Sequence, residues 1–234
     1  MSKYLRVVSY NIHHGTDVYG NPSLERIAEV LASLDADIIA LQEVDMNHPR
    51  SGRKNQAAEL ARRLDMGYVF GAAKRYRRGA YGNAVLSRFS IAGYETISLP
   101  DPREDRCCLQ VQIKLADHTL GFFALHLGLN QELRLMHLQQ QVLPQVLSFS
   151  GPAILAGDFN ATNNQPEIQL VTQNLTDCFD YHTGGVVNTF SSHHPVARID
   201  YIFVNSLVQV RGHHISPTDA SDHFPVIAEL VVQI

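Results

Sequence analysis

Tryptophan is absent from these 234 residues, and only three cysteines occur, Cys107, Cys108 and Cys178. Three thiols build no disulfide framework, and no Cys-X-X-Cys or Cys/His zinc spacing accompanies them. They read as small core residues of a reducing compartment. Long apolar runs are missing too: no stretch approaches the ~20 residues of a membrane span, and the opening Met-Ser-Lys-Tyr-Leu-Arg lacks a leader pattern. The expectation is a cytoplasmic protein with no stable membrane insertion. Positive charge is not in excess either, because 19 Lys and Arg face 23 Asp and Glu, a net charge of -4. That balance argues against a broadly basic coat for nucleic acid and leaves room only for a local patch. With no Pro/Ser/Gly-rich linker, charge block or low-complexity run, the chain reads as one domain over residues 1–234, and no protein partner is implied.

What the sequence does hold is a series of apolar strands that end on polar residues. Ala153 to Ala156 follow a Gly-Pro break as a buried strand, which runs into Gly157-Asp158-Phe159-Asn160. Period-2 geometry puts Asp158 and Asn160 on one side at the strand's exit, where layered α/β proteins meet their ligands. Leu5 to Asn11 has the same character. A helix should follow, with Asn21 as N-cap, Pro22 as first residue and Leu24, Ile27, Ala28, Leu31 and Leu34 on one face. It returns the chain to Asp37 to Glu43, so these two strands should be parallel.

Asn55 to Leu64 carries a second, shallower helical stripe. Strands are then expected at Tyr68 to Ala73, Gly82 to Arg88, Ile91 to Leu99, Cys107 to Leu115 and Leu120 to Leu127, with antiparallel neighbours and mixed sheets. The run Lys74-Arg75-Tyr76-Arg77-Arg78 is the densest positive charge, either a solvated loop or a contact for a substrate's phosphate. A helix from Gln131 to about Leu147 should be kinked or divided at Pro144. Glu43 follows Asn11 by 32 residues, and Asp158 follows His126 by 32. Both intervals hold strand, polar exit, helix, strand and acidic exit, which suggests an internal pseudo-repeat. Arg198 to Val204, Val208 to His213 and Val226 to Val232 complete the strands, with Ser221-Asp222-His223 before the last.

Any one of these polar residues could be a turn former. As a set they are chemistry: Glu43, Asp222 and Asn11 offer oxygen to a hard divalent cation such as magnesium or manganese. Asp158 can take a proton from water, and an Asp200–His223 pair can fix an imidazole and favour its charged form beside a phosphoryl oxygen.

Ser-Tyr-Asn11, Leu-Gln-Glu43-Val-Asp, Gly-Asn83-Ala-Val-Leu-Ser-Arg, Leu-His126-Leu, Gly-Asp158-Phe-Asn160, Arg-Ile-Asp200-Tyr-Ile-Phe and Ser-Asp222-His223 resemble the ordered motifs of the endonuclease/exonuclease/phosphatase superfamily. The resemblance spans about residues 5 to 232. It implies the DNase I-like fold, a four-layer α/β sandwich of two mixed β-sheets flanked by helices, and a magnesium-dependent phosphoesterase. Under it Glu43 binds metal with Asn11 and Asp222 nearby, and Asp158 orients or deprotonates water. His126 and Asn160 contact the scissile phosphate, and Asp200 supports His223. Apart from the resemblance, the basic run offers Arg75, Arg77 and Arg78 as substrate contacts, with Asn83 added to them. His13 stands where members resembling abasic-site endonucleases carry an acidic or amide residue, whereas His126 fits the branch resembling DNase I and bacterial sphingomyelinases. The likeness is closest to small bacterial metal-dependent hydrolases.

The substrate class stays open between nucleic acid and a phospholipid head group or sugar phosphate. A catalytically inactive module that binds a phosphorylated ligand on the same fold is the alternative to an enzyme.

Overall fold

Alternating apolar residues in the strands give each sheet two faces to bury, and the fold buries both. The computed structural model describes residues 2–179 and 188–233. Its strands are β1 (Ser2–Asn11), β2 (Ile38–Met46), β3 (Gly67–Tyr76), β4 (Gly79–Ser87), β5 (Ile91–Leu99), β6 (Arg106–Leu115), β7 (His118–His126), β8 (Ala153–Asp158), β9 (Thr176–Asp177), β10 (Asp200–Val204), β11 (Val208–Ile215) and β12 (Val226–Gln233). They form two mixed six-stranded sheets, ordered β11-β12-β1-β2-β4-β3 and β5-β6-β7-β8-β10-β9. Helices α1 (Leu24–Leu34) and α2 (Gln56–Leu64) cover the first sheet. Helices α3 (Gln131–His137), α4 (Leu143–Ser148) and α5 (Pro166–Thr172) cover the second.

The layers follow from parity. Leu5, Val7, Ile38, Ala40 and Val85 point from the first sheet into a shared core. Phe122, Ala124, Ile154, Ala156, Ile202 and Val204 meet them from the second. The alternate residues pack outward: Val8, Ile39 and Leu86 against Ile27, Leu31 and Leu60, and Phe123, Leu155 and Phe203 against Leu138, Val142 and Ile168. Helix, sheet, sheet, helix is the resulting order, the four-layer sandwich expected. Each such buried side chain is worth roughly 1.5–3 kcal/mol in transfer free energy.

The same parity turns polar at one end. Two residues past Ala124 comes His126, two past Ala156 comes Asp158, and two before Ile202 stands Asp200. Asn11 continues the inner row of Leu5 and Val7. An apolar inter-sheet core therefore ends in a polar cluster, and that end is the candidate site.

The expected parallel pair of β1 with β2 occurs, and β7 with β8 forms a second, each flanked by antiparallel partners. The two units thus share one topology, but their registers differ. His126 lies opposite Asp158, whereas Asn11 lies opposite Gln42 and Glu43 sits one residue beyond, in a bulge between Leu41 and Val44.

Several boundaries moved for physical reasons. Helix α1 begins at Leu24 with Ser23 as cap residue, because Pro22 bridges to Thr16 instead of opening the helix. Its five apolar residues are buried as expected. The Asn55 side chain accepts from Ala58 N and caps α2. Strand β3 runs on through Tyr76, leaving only Arg77 and Arg78 in the turn to β4. The division near Pro144 is real, a π-helical turn over Leu138–Val142 that separates α3 from α4, with Pro144 in the first turn of α4 where its missing N–H is tolerated. Among the described residues, no helix is long and apolar enough to cross a membrane.

Candidate active site

Strand exits from both sheets bring the expected residues together. Asn11 on β1 donates from Nδ2 to Asp158 Oδ2 at 3.0 Å and towards Glu43 Oε1 at 3.3 Å, so one amide bridges the two sheets. Its own oxygen accepts from His13 N at 3.1 Å. Ser221 Oγ donates to the Asn11 carbonyl at 2.8 Å, which fixes the loop carrying Asp222 and His223 against β1.

Glu43 reaches this cluster only through strain. Its parity on β2 points outward, but its φ of 57° turns the backbone at the bulge and swings the carboxylate inward. The side chain keeps 21% of its surface exposed, and that of Asp222 keeps 20%. Burial works against the Glu43 charge, but the His14 imidazole 3.7 Å away, the Arg106 charge and the Asn11 amide hold it well below the usual carboxylate range.

Asp158 is fully inside. A Cβ on the preceding Gly157 would run into the Leu125 carbonyl oxygen, so only glycine lets β8 approach β7 closely enough to place this carboxylate. Asn160, at φ 48°, donates its N–H to Asp158 Oδ1 at 2.9 Å and its amide to the Leu127 carbonyl at 2.9 Å. Burial, then the nearby Asp200 charge, push the Asp158 carboxyl upward.

Asp200 and His223 form the expected pair: His223 Nδ1 donates to Asp200 Oδ2 at 2.8 Å, both residues being buried. Burial opposes the imidazolium, but Asp200, Asp158 and Asp222 outweigh it and raise His223 to about 10. Its Nε2 stands 3.7 Å from Asp158 Oδ2. His126, whose Nε2 is 3.6 Å from the same oxygen, is driven the other way by burial and then by the Arg106 charge, so it is neutral.

A divalent cation fits this donor set. Glu43 and Asp222 present partly exposed carboxylates at this end of the sandwich, and His14 Nδ1 is buried without a hydrogen-bond partner beside Glu43. One ligand atom each from Asp158, Asp200 and His223 also fall within 4.8 Å of one another. The bond of 2.8 Å between Asp200 and His223 makes that trio better suited to proton control than to holding an ion.

Not every expected contact is at the site. Asn83, read as a substrate contact, is buried and donates both amide hydrogens across the core, to Cys107 O at 2.9 Å and Ala124 O at 3.1 Å. It ties one sheet to the other beneath the site. Arg75, Arg77 and Arg78 are exposed at the tip of the β3–β4 hairpin, beyond the level of Glu43.

Other neighbours gave no signal in the sequence. Arg106 donates to Tyr81 Oη at 2.9 Å and pairs with Glu104 at 2.6 Å. The guanidinium groups of Arg106 and Arg50 stand 5.9 Å and 5.2 Å from the Tyr81 ring centroid, and Arg50 is bonded to Asp45 at 2.8 Å and 2.9 Å. Tyr81 shares the inner parity of Asn83, and that was the available clue. Next to Arg106 opens a cavity of about 520 Å³, lined by the 101–106 loop and by Gly128, Leu129, Asn130 and Leu133.

A sandwich of two mixed sheets whose inner faces end in carboxylates and imidazoles is the DNase I-like arrangement. Residues 8–223 match the Endonuclease/Exonuclease/phosphatase family, and the chain belongs to it. It is 28% identical to the uncharacterised protein YbhP of Escherichia coli K12, over 96% of this chain and 95% of that one. Among solved structures it is similar to a family protein from Bacteroides thetaiotaomicron, with TM-score 0.81, 22% identity and full coverage of both chains. The mannosyl-6-phosphatase Bt3783 of Bacteroides thetaiotaomicron VPI-5482 follows with TM-score 0.78 and 23% identity, over 97% of this chain and 99% of its own.

Proposed function

We propose that this chain is a divalent-metal-dependent phosphoesterase that hydrolyses a compact phosphate ester by in-line attack of water. The observation that carries this reading is the convergence of Glu43 and Asn11 from one sheet on Asp158 and the Asp200–His223 pair of the other. Glu43 and Asp222, with Asn11 alongside, would hold a magnesium or manganese ion, which would supply positive charge for the phosphoryl and leaving oxygens. Asp158, steered by Asn11 and Asn160, orients the attacking water and takes its proton. His223 keeps its charge through Asp200 and presents an N–H to a phosphoryl oxygen, where neutral His126 and the Asn160 amide add dipoles.

Compactness of the substrate is supported by the cavity beside Arg106. Its volume suits a single polar ring, and its wall carries acidic (Asp101, Glu104) and basic (Arg103, Arg106) side chains that can exchange hydrogen bonds with hydroxyl groups. The likeness to a mannosyl-6-phosphatase agrees with a sugar phosphate or similar polar head group. Nucleic acid is the second reading, favoured by the exposed Arg75, Arg77 and Arg78. An inactive binding module has less support, because the acid–base residues are all present and in contact.

Turnover of sugar phosphates, phospholipids, oligonucleotides and plasmid DNA with magnesium and manganese tests the reading, alongside Glu43→Gln and Asp158→Asn. Sugar phosphates should be cleaved fastest and both variants should lose about 10²- to 10³-fold in kcat, the scale of removing an electrostatic stabiliser. Turnover of no phosphoester, or turnover indifferent to both substitutions, would sink it. Preference for DNA, lost in an Arg75→Ala, Arg77→Ala, Arg78→Ala variant, would transfer the assignment to the second reading.

A further inference from the structure

His13 and His14 both sit in the left-handed region, each with φ 44°. For residues with a Cβ this conformation is strained, and here it is held in place from several sides. Gln56 on α2 donates to the His14 carbonyl at 2.6 Å and accepts from Asp45 N at 2.8 Å, which locks the His14 turn onto β2. Thr16 Oγ1 reaches His13 Nδ1 at 3.2 Å and His14 Nε2 at 3.5 Å. The two rings pack edge to face with centroids 4.4 Å apart.

What this strained turn achieves is the placement of nitrogen beside two carboxylates. His14 Nδ1 lies 3.7 Å from Glu43 Oε2, and His13 Nδ1 lies 3.9 Å from Asp222 Oδ1. Both separations are longer than an ordinary hydrogen bond and admit either an ion pair or a shared ion. They are the spacing of two ligands on one ion, since donors at about 2.1 Å from a shared centre stand roughly 3–4 Å apart. His14 Nδ1 is also buried with no hydrogen-bond partner, while its other nitrogen faces a hydroxyl, the pattern of a ligating imidazole oriented from behind.

We propose that His14 is a ligand of the Glu43 cation site, with His13 and Thr16 orienting it, and that this nitrogen shifts the site's preference from magnesium towards manganese, cobalt and related transition metals. Magnesium favours an all-oxygen shell, whereas imidazole suits the later first-row ions. The inference rests on the metal-dependent reading above and adds which cation the site selects. Any such ion already binds nitrogen sites more tightly than magnesium does, so the informative quantity is the change in the ratio when His14 is replaced.

Calorimetric titration with Mg2+, Mn2+ and Co2+ on the whole chain tests it, comparing the wild type with His14→Ala and His14→Asn. Asparagine tolerates a left-handed backbone and offers oxygen, so it keeps the turn while removing the imidazole. Both variants should lose about 10- to 100-fold in Mn2+ and Co2+ affinity while Mg2+ binding moves by less than about threefold. The visible absorption of bound Co2+ should change with His14→Asn. Equal losses for all three ions, or an unchanged ratio and an unchanged cobalt spectrum, overturn the assignment while leaving the hydrolase reading intact. Absence of any divalent binding by the wild type overturns both.

Discussion

Asp200 Oδ2 and His223 Nδ1 are 2.8 Å apart in a dry environment, and the pair faces Asp158, so three titrating groups share one buried space. Burial penalises the His223 charge, yet Asp200 leads the charges that restore it.

A bell-shaped pH profile is the first consequence. Asp158 must be ionised to accept a proton; its carboxyl is raised, so activity is present above that raised value and lost as pH falls through it, earlier than for an ordinary carboxylate. His223 must be charged, and activity falls as pH rises through about 10. Asp200→Asn removes the largest of the interactions that raise His223, so the alkaline limb should move towards neutrality. Measuring kcat/KM from about pH 5 to about 11 checks both limbs, and an unmoved alkaline limb in Asp200→Asn would assign it to another group.

Stability and chemistry should oppose one another at Asp158. A carboxyl raised by burial and by a like charge destabilises the folded state at neutral pH, because the unfolded chain ionises it freely. Asp158→Asn should therefore raise the melting temperature at pH 7 while abolishing turnover. The gain should vanish at pH 3, below the ordinary carboxylate value, where the group is protonated in both states. Calorimetry at the two pH values decides it.

Asn83 is predicted to be structural. Asn83→Ala leaves the Cys107 and Ala124 carbonyls without their donor inside the core, a loss of about 2–3 kcal/mol. Urea denaturation should show that decrease. A variant with wild-type stability and a raised KM would return Asn83 to the substrate contacts.

Arg134 and Glu167 pair at 2.6 Å between α3 and α5, both buried, and Arg134 also donates to the Leu129 carbonyl at 2.7 Å. Glu167→Ala should cost about 3–5 kcal/mol by stranding a buried charge. Because Leu129 lines the cavity beside Arg106, KM for a compact substrate should rise as well. Denaturation and steady-state kinetics on one preparation test both.

All three cysteines are buried, and burial pushes the Cys107 thiol up to about 12 and the Cys178 thiol higher. Thiol reagents should leave the native protein unmodified at pH 8 and label all three residues once it is unfolded. Rapid native labelling would mean that the second sheet opens far more readily than its packing implies.

Much of this site was legible because side-chain parity is a property of sequence. An inner-facing row that is apolar and then polar announces a strand end, and Asn11, His126 and Asp158 follow that rule at strand exits while Asp200 follows it in reverse at the start of β10. Glu43 breaks it: the bulge that turns it inward is set by backbone conformation, which composition does not encode. Asn83 was visible but its role was not, since a polar residue on an inner face can serve either a ligand or the opposite sheet. Arg106 stands just ahead of where the apolar pattern of β6 begins. Helix α5 is only seven residues long and β9 only two, too short for a periodicity to register.

The amide of Asn11 spans from Glu43 on one sheet to Asp158 on the other. The reacting groups are therefore mounted on two separate plates, and the packing between them works as a spacer. Thinning that spacer deep in the core, as Phe122→Ala would, should alter the distance between the plates and slow the reaction with no change to any residue that meets the substrate.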